Sequence, residues 1–310
     1  MTRYLFAALL GMAVVAAVGY LVYSRSLGAA TPPAAPPPAA PPNVAPSAAQ
    51  AMPSSPSPLP RAVVVVTVTG RVEKRAGAGW VGLRDGDQLT ALDTIRTAEG
   101  ARATLDLGAL VEVDDRTELT VGEISESLSE VALTEGHVSA NAGATGGPII
   151  RISTRDVGAI AETDVGRFDV LSSGTGQVTV AAGEGDVKVT AHGTTVSVPA
   201  GNLSTIRTGE APTAPREIPT SLFLKVSAAV DARDPDAIRG QTTPGAVVSI
   251  GGVRATAAAD GQFTGRAALR PGTNTIIVLV EDATGRRARK VLSRRIPSTK
   301  PRLDTQVEWK

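Results

Sequence analysis

The sequence predicts an all-β fold, and three observations carry that expectation. Val63-Val64-Val65-Val66-Thr67-Val68-Thr69 is an unbroken β-branched run, and such side chains suit a pleated surface better than a helix. Short segments with period-two alternation recur after it, in Ala103-Thr104-Leu105-Asp106-Leu107, Val187-Lys188-Val189-Thr190 and Thr195-Val196-Ser197-Val198. Turn residues punctuate the intervals at Gly86-Asp87, Asp114-Asp115, Gly136, Gly146-Gly147-Pro148, Ser173-Gly174, Gly183-Glu184-Gly185-Asp186 and His192-Gly193. This spacing argues a β domain of about 150 residues, a sandwich, barrel or stacked β-roll. A few helical turns around Ile124–Glu130 are compatible with the pattern but not required by it. Aromatic residues make up only 3% of the chain, so its cores must be aliphatic.

The elements before that domain read differently. Tyr4 to Tyr23 contains no charged residue, and as a helix it rises about 30 Å, the thickness of a bilayer's hydrocarbon. Tyr4, Tyr20 and Tyr23 sit where interfacial aromatics belong. Residues 1–27 are therefore expected to be an N-terminal membrane anchor, with the short leading tail inside and the rest of the chain exported, periplasmic or extracellular. A cleaved signal peptide is the alternative, with Gly28-Ala29-Ala30 as the small-residue site. Residues 28–61 are almost wholly Ala, Pro and Ser. Proline has no amide proton for a helix or sheet ladder, so this stretch is expected to be a disordered, extended tether with an upper reach of roughly 100 Å.

After residues 62–210 a proline-bearing linker, 211–220, leads to a second strand series at 221–297. Its expected strands are Phe223–Val230, Ala246–Ile250, Val253–Ala257, Gly261–Ala267, Asn274–Val280 and Arg289–Ile296, with turns at Pro244-Gly245, Gly251-Gly252, Asp260-Gly261, Pro271-Gly272 and Thr284-Gly285. So many strands in so short a span suggest a small β-sandwich. Residues 298–310 read as a polar tail.

Composition narrows the chemistry. With no cysteine there is no disulfide, no thiolate ligand or nucleophile and no thioether lipid anchor. Two histidines leave little material for a zinc site. A net charge of +1 argues against a nucleic-acid binder. Asp85-Gly86-Asp87, Asp93-Thr94 and Asp234-Pro235-Asp236 lack EF-hand spacing and read as structural turns. His137 and His192, each beside a glycine, read as turn or strand-end residues rather than ligands. Gly143-Ala144-Thr145-Gly146-Gly147 lacks the Lys-Ser/Thr of a phosphate loop and reads as a hairpin loop. Asp114-Asp115 offers carboxylates for a glycosidase pair, but acidic β domains supply such pairs by chance. Gly-x-Ser-x-Gly is absent. Trp80 reads as a partly buried packing residue, and Trp309 as an exposed one. The expectation is a non-enzyme with no catalytic residue, cofactor or metal.

Two resemblances then enter. Gly70-Arg71-Val72, Leu83-Arg84-Asp85-Gly86-Asp87-Gln88-Leu89, Asp93-Thr94-Ile95-Arg96-Thr97, Leu133-Thr134-Glu135-Gly136-His137-Val138, Arg167-Phe168-Asp169-Val170 and Val198-Pro199-Ala200-Gly201, in this order, resemble the FecR domain. That is the exported module of iron-dicitrate-type regulators, found also in other bacterial envelope proteins. The chain departs from the family at Asp164-Val165-Gly166-Arg167, where a Gly-Thr pair is usual. Thr243-Pro244-Gly245-Ala246-Val247-Val248, Ala259-Asp260-Gly261-Gln262-Phe263 and Leu269-Arg270-Pro271-Gly272-Thr273-Asn274 resemble a bacterial immunoglobulin-like domain. The resemblances imply a FecR-type β-roll or sandwich followed by an Ig-like β-sandwich. Regulators of the FecR family hold a sigma factor through a cytoplasmic segment ahead of their span, and only Met1, Thr2 and Arg3 stand there in this sequence. The expected function is therefore an anchored binding or scaffolding module, with a sensory component relaying to a separate membrane partner as the alternative and a carbohydrate-active enzyme a weaker one.

Charge is distributed unevenly. Residues 63–218 hold about 22 acidic and 13 basic side chains, and residues 219–310 about 8 and 15. Arg286, Arg287, Arg289, Lys290, Arg294 and Arg295 cluster late. Solvated strand faces account for them in the plainest way. Their functional reading is contact with an anionic surface: cell-wall polymer, lipid headgroups, an envelope protein or the acidic neighbouring domain.

Overall fold

The computed structural model describes residues 62–227, 234 and 236–296. The expected anchor, the tether, residues 228–230 of an expected strand and the tail with Trp309 lie outside the described residues. The described residues form no helix, and so none long and apolar enough to cross a membrane. The expected all-β class is met, and the helical turns considered around Ile124–Glu130 are instead a bend between two strands.

The first seventeen strands are β1 (Val63–Thr69), β2 (Val72–Ala76), β3 (Gly79–Gly82), β4 (Gln88–Leu89), β5 (Thr94–Thr97), β6 (Arg102–Asp106), β7 (Leu110–Val113), β8 (Glu118–Ile124), β9 (Leu128–Gly143), β10 (Ile149–Thr154), β11 (Ile160–Thr163), β12 (Gly166–Ser172), β13 (Gln177–Glu184), β14 (Val187–Ala191), β15 (Thr194–Val198), β16 (Asn202–Arg207) and β17 (Arg216–Glu217). They build two layers that share one strand. The first layer runs β4-β1-β6-β7-β9-β12-β13-β16-β17. The second runs β3-β2-β5-β8-β9-β10-β11-β14-β15. One aliphatic core lies between them, with Val65, Leu105, Val113, Phe168 and Ile206 from the first layer and Ile95, Leu119, Leu133, Ile150 and Val189 from the second. Burying each of these side chains stabilises the fold by about 1.5–3 kcal/mol.

The shared strand is β9. Its first half pairs with β8 and β10, its second half with β7 and β12. The change of layer falls at Gly136, whose φ is +101°. Only glycine reaches that conformation without strain, and a Cβ there would strike the Thr117 side chain and backbone. The buried Thr117 hydroxyl fills the space, accepting the His137 amide proton at 3.0 Å and donating to the Asp115 carbonyl at 3.2 Å. Gly136 is thus a corner inside a strand rather than the turn expected from sequence. Because the chain returns from the other layer, β9 and β10 pair in parallel. Parallel neighbours need a long crossover, and here the second half of β9 plus residues 144–148 provides it. The glycine-rich stretch 143–147 is accordingly a crossover loop, not the expected hairpin.

Seven further strands follow: β18 (Leu224–Val226), β19 (Ala237–Thr242), β20 (Val247–Ile250), β21 (Val253–Thr256), β22 (Gln262–Arg266), β23 (Gly272–Glu281) and β24 (Arg287–Ile296). They form sheets ordered β18-β19-β22 and β21-β20-β23-β24. Ile238 and Phe263 of the first sheet meet Val248, Ile250, Ile276, Val278 and Val280 of the second in a separate core. The connecting segment 211–220 is itself tied down: Thr213 donates its amide to Thr205 O at 3.0 Å and Ile218 to Gly201 O at 2.8 Å. The described residues all belong to a single compact unit.

Gly136→Ala is expected to cost more than about 2 kcal/mol, because it adds a steric clash to a left-handed backbone. Gly193→Ala, at φ +76° in an open hairpin turn, should cost only about 1 kcal/mol. Urea denaturation of the full-length variants followed by far-UV circular dichroism measures both.

Candidate functional site

The corner at Gly136 delivers His137 to the seam between the two-layered body and the smaller sandwich. The imidazole is 4% exposed. Its Nδ1 lies 2.7 Å from Asp114 Oδ2, in the turn between β7 and β8. Its Nε2 lies 3.2 Å from the carbonyl of Ala283, in the turn between β23 and β24, and 3.7 Å from Oδ1 of Asp169 on β12. Both ring nitrogens therefore face acceptors, the arrangement that suits an imidazolium. Burial opposes that charge, but the Asp114 hydrogen bond and the charges of Asp169, Glu281 and Asp114 outweigh it and raise the His137 pKa above its ordinary value.

The same balance acts on the acids. Burial works against ionised Asp114, yet His137, Arg102 and Arg287 together hold its carboxyl below the usual range. Asp169 is buried with less help, so its carboxyl is pushed up, and its Oδ1 has no hydrogen-bond partner. Arg287 bridges the seam beside them, 2.8 Å from Glu281 Oε1 and paired with Asp115. Arg254 of β21 does the same, reaching Glu135 Oε2 at 3.1 Å and the Arg116 carbonyl at 2.8 Å. Gln177 and Thr179 both donate to Gly245 O. Apolar contact completes the seam, with Leu171, Ala181 and Leu203 against Val247 and Ala283.

A cavity of about 290 Å³ opens beside this cluster, floored by Leu171, Val247 and Leu279 and rimmed by Arg116, Arg254 and Glu99. Asp115 and Glu281 also line it, but they converge on the Arg287 guanidinium. Donor atoms of Asp114, His137 and Glu281 lie within 4.8 Å of one another, a grouping wide enough for a cation. Arg102 and Arg287 pair with Asp114 and Glu281 at this spot, in one ion-pair and hydrogen-bond network with His137.

The six basic residues singled out from sequence divide into two groups. Arg286 pairs with Asp282 and donates to the Pro219 carbonyl at 2.7 Å. Arg287 is in the seam, and Arg294 is 8% exposed with Nη1 on Ala237 O at 3.1 Å. These three serve internal contacts. Arg289, Lys290 and Arg295 are exposed on β24, which stands at the edge of its sheet, where charge discourages pairing with another strand. His192 takes the first position of the β14–β15 turn with φ +49°. Trp80 is half-buried, with Arg96 4.0 Å and Arg75 5.2 Å from its ring. Asp85 and Asp87 accept backbone amides of Val68 and Arg84, as turn residues do. The seam cluster itself was not visible in the sequence. Its members come from turns and strands far apart in the chain, and the one local signal was the unusual Gly-His pair inside an otherwise strand-like run.

No protein-family model matches the chain, and no curated protein matches it. Two crystal structures, at 2.50 and 1.65 Å resolution, of a protein from Parabacteroides distasonis ATCC 8503 described as a candidate anti-sigma factor are similar to it. Each aligns with a TM-score of 0.35 and 16% identity, covering 40% of this chain and 59% of the other. The match thus spans somewhat more than half the length of those solved chains.

Removing Arg287 leaves Glu281 without its guanidinium partner and Asp115 with Arg116, whose Nε lies 3.5 Å away, as its remaining counter-charge. Arg287→Met is expected to lower stability by about 1–3 kcal/mol, less than for a fully buried pair because Arg287 is 37% exposed. Urea titrations of the two full-length proteins at neutral pH measure it.

Proposed function

We propose that this chain is a membrane-anchored envelope protein whose exported part, FecR-like over 62–210 and Ig-like over 221–297, works as a non-catalytic binding or scaffolding module. The observation that carries the reading is the seam. Its charged groups are spent on one another and on backbone carbonyls, so they hold two β bodies in one compact unit rather than presenting reactive groups to a cleft. A rigid unit of this kind presents partners with fixed surfaces, and rigidity lowers the entropic cost of association. The tether read at 28–61 would let the unit stand clear of the lipid. The FecR resemblance is supported locally, since the Leu83–Leu89 motif forms a tight turn held by Asp85 and Asp87. The buried His137 favours a second reading, in which the unit changes state and relays that change to a separate membrane partner.

Placement is tested by a C-terminal reporter active only outside the cytoplasm, together with membrane fractionation. A reporter active only inside would overturn the reading. Crosslinking in intact envelopes then separates the two roles: a stable structural partner supports scaffolding, whereas a signalling protein supports relay. The exposed residues of β24 give a further expectation. Charge reversal at Arg289, Lys290 and Arg295 should weaken sedimentation with cell-wall polymer or anionic liposomes several-fold, and raising salt should do the same to the unaltered protein. Sedimentation indifferent to both would remove these residues from any contact surface.

A further inference from the structure

We infer that the seam is a proton-operated latch, in which His137 clamps the β23–β24 turn against the two-layered body while both ring nitrogens carry protons and releases it when one is lost. The inference rests on the reading of this unit as a rigid contact module and names how that rigidity is regulated.

The geometry of the turn is built around the ring. Gly285 has φ +74°, and a Cβ there would lie 3.0 Å from His137 Cε1, so the turn backbone lies directly on the imidazole. Asp282 keeps the turn in shape, accepting amide protons of Thr284 and Arg286 and pairing with the Arg286 guanidinium. What joins this preformed turn to the other body at its centre is the bond from His137 Nε2 to Ala283 O.

The charged groups facing the imidazole come from every element packed around it. Asp114 stands in the β7–β8 turn, with Arg102 of β6 on its other oxygen at 2.9 Å. Asp169 and Arg167 project from β12, Glu281 from β23 and Arg287 from β24. Asp114 receives the stronger, charge-assisted hydrogen bond, so the Nδ1 proton is the one retained. When the Nε2–H bond breaks, its proton passes to water and the electron pair stays on Nε2. That lone pair then faces the Ala283 carbonyl and the unpartnered Asp169 oxygen, three acceptors with no proton among them. The contact changes from attraction to repulsion, and the turn lifts away beside the cavity.

The direction with pH follows from the shifts. A histidine whose pKa is raised on folding stabilises the folded contact below its unfolded value and loses that contribution as pH rises through the folded one. Asp114, whose pKa is lowered, contributes above its unfolded value and fails only as pH falls through the lowered one. The latch is therefore closed from mildly acidic pH up through the ordinary imidazole value, and it opens on the alkaline side, as pH rises through the raised one.

The test uses the full chain in detergent solution carrying His192→Gln, which leaves His137 as the sole histidine. Its ring is titrated by NMR from about pH 5 to about pH 9. Hydrogen exchange of the Asp282 and Gly285 amides, both hydrogen-bonded within the turn, is followed over the same range and corrected for intrinsic base catalysis. Protection is expected to fall about tenfold or more as the ring deprotonates, with a common midpoint above that of a solvent-exposed histidine. Asp169→Asn, a near-isosteric change, should move both midpoints down together. The inference is overturned if the ring titrates while protection stays flat, if Asp169→Asn leaves the midpoint of exchange in place, or if His137 does not titrate in this range. None of these readouts involves an envelope partner or the export of the chain, so failure of the latch and failure of the functional reading are told apart.

Discussion

The architecture depends on one strand being able to serve two sheets. β9 can do so because Gly136 accepts a backbone conformation that a side chain would forbid, and because the Thr117 side chain occupies the space a Cβ would need. Without that corner the two layers would be separate sheets with free edges at β8 and β7, where exposed ladders invite pairing with other chains. With it, the layers close around one aliphatic core. The next residue, His137, is carried to the outside of that core, where the second sandwich meets it. The corner and the seam are therefore consequences of a single local choice.

The seam joins apolar contacts to a set of ion pairs and hydrogen bonds. Buried ion pairs lose much of their Coulomb gain to desolvation, and well-packed hydrophobic substitutes often match or exceed them. What the polar arrangement adds is geometric selectivity. Arg287 can satisfy Asp115 and Glu281 together only in one docking of the sandwich, and Arg254 reaches Glu135 and the Arg116 carbonyl only in the same one. A sliding apolar contact such as Leu171 against Val247 would tolerate neighbouring positions. Leaving one of the buried acids uncompensated is costly, so wrong dockings are penalised more than the correct one is rewarded.

Much of the strand pattern was legible in the sequence because strand signals are local. Val63–Thr69 coincides with β1, and the turns at Gly86-Asp87 and Asp114-Asp115 stand where their residue types place them. The hairpin at His192-Gly193 has both central residues at positive φ, +49° and +76°, the conformation its Xaa-Gly pair favours. Ala237–Thr242 escaped as a strand because Arg239, Gly240 and Gln241 carry no β-branched signal; the strand exists through pairing with β18 and β22. Gly136 looked like punctuation because glycine signals a turn and a mid-strand corner equally well. The functional cluster was illegible for a different reason. No spacing links Asp114, His137, Asp169, Glu281 and Ala283, since the topology of β9 and the docking of the sandwich bring them together.

The uneven charge of the two halves of the chain takes on another meaning once the seam is known. An acidic stretch followed by a basic one suggested contact with an anionic surface, the acidic neighbouring domain among the possibilities. Part of that complementarity is consumed within the molecule, through Arg287 on Asp115 and Arg254 on Glu135, while Arg286 and Arg294 are spent on the sandwich's own acid and on backbone carbonyls. Arg289, Lys290 and Arg295 keep their positive charge exposed on the edge strand. Long-range attraction between oppositely charged bodies guides their approach, whereas the final position is set by short-range pairing that only a few residues reach. The same residue type along one strand thus divides its work by position: Arg287, at the end nearest the seam, fixes the docking, and Arg289 and Arg295 further along guard an open edge. Composition registers only their sum: Arg287, Arg289 and Arg295 lie on one face of β24, and it is position along the strand that separates the two roles.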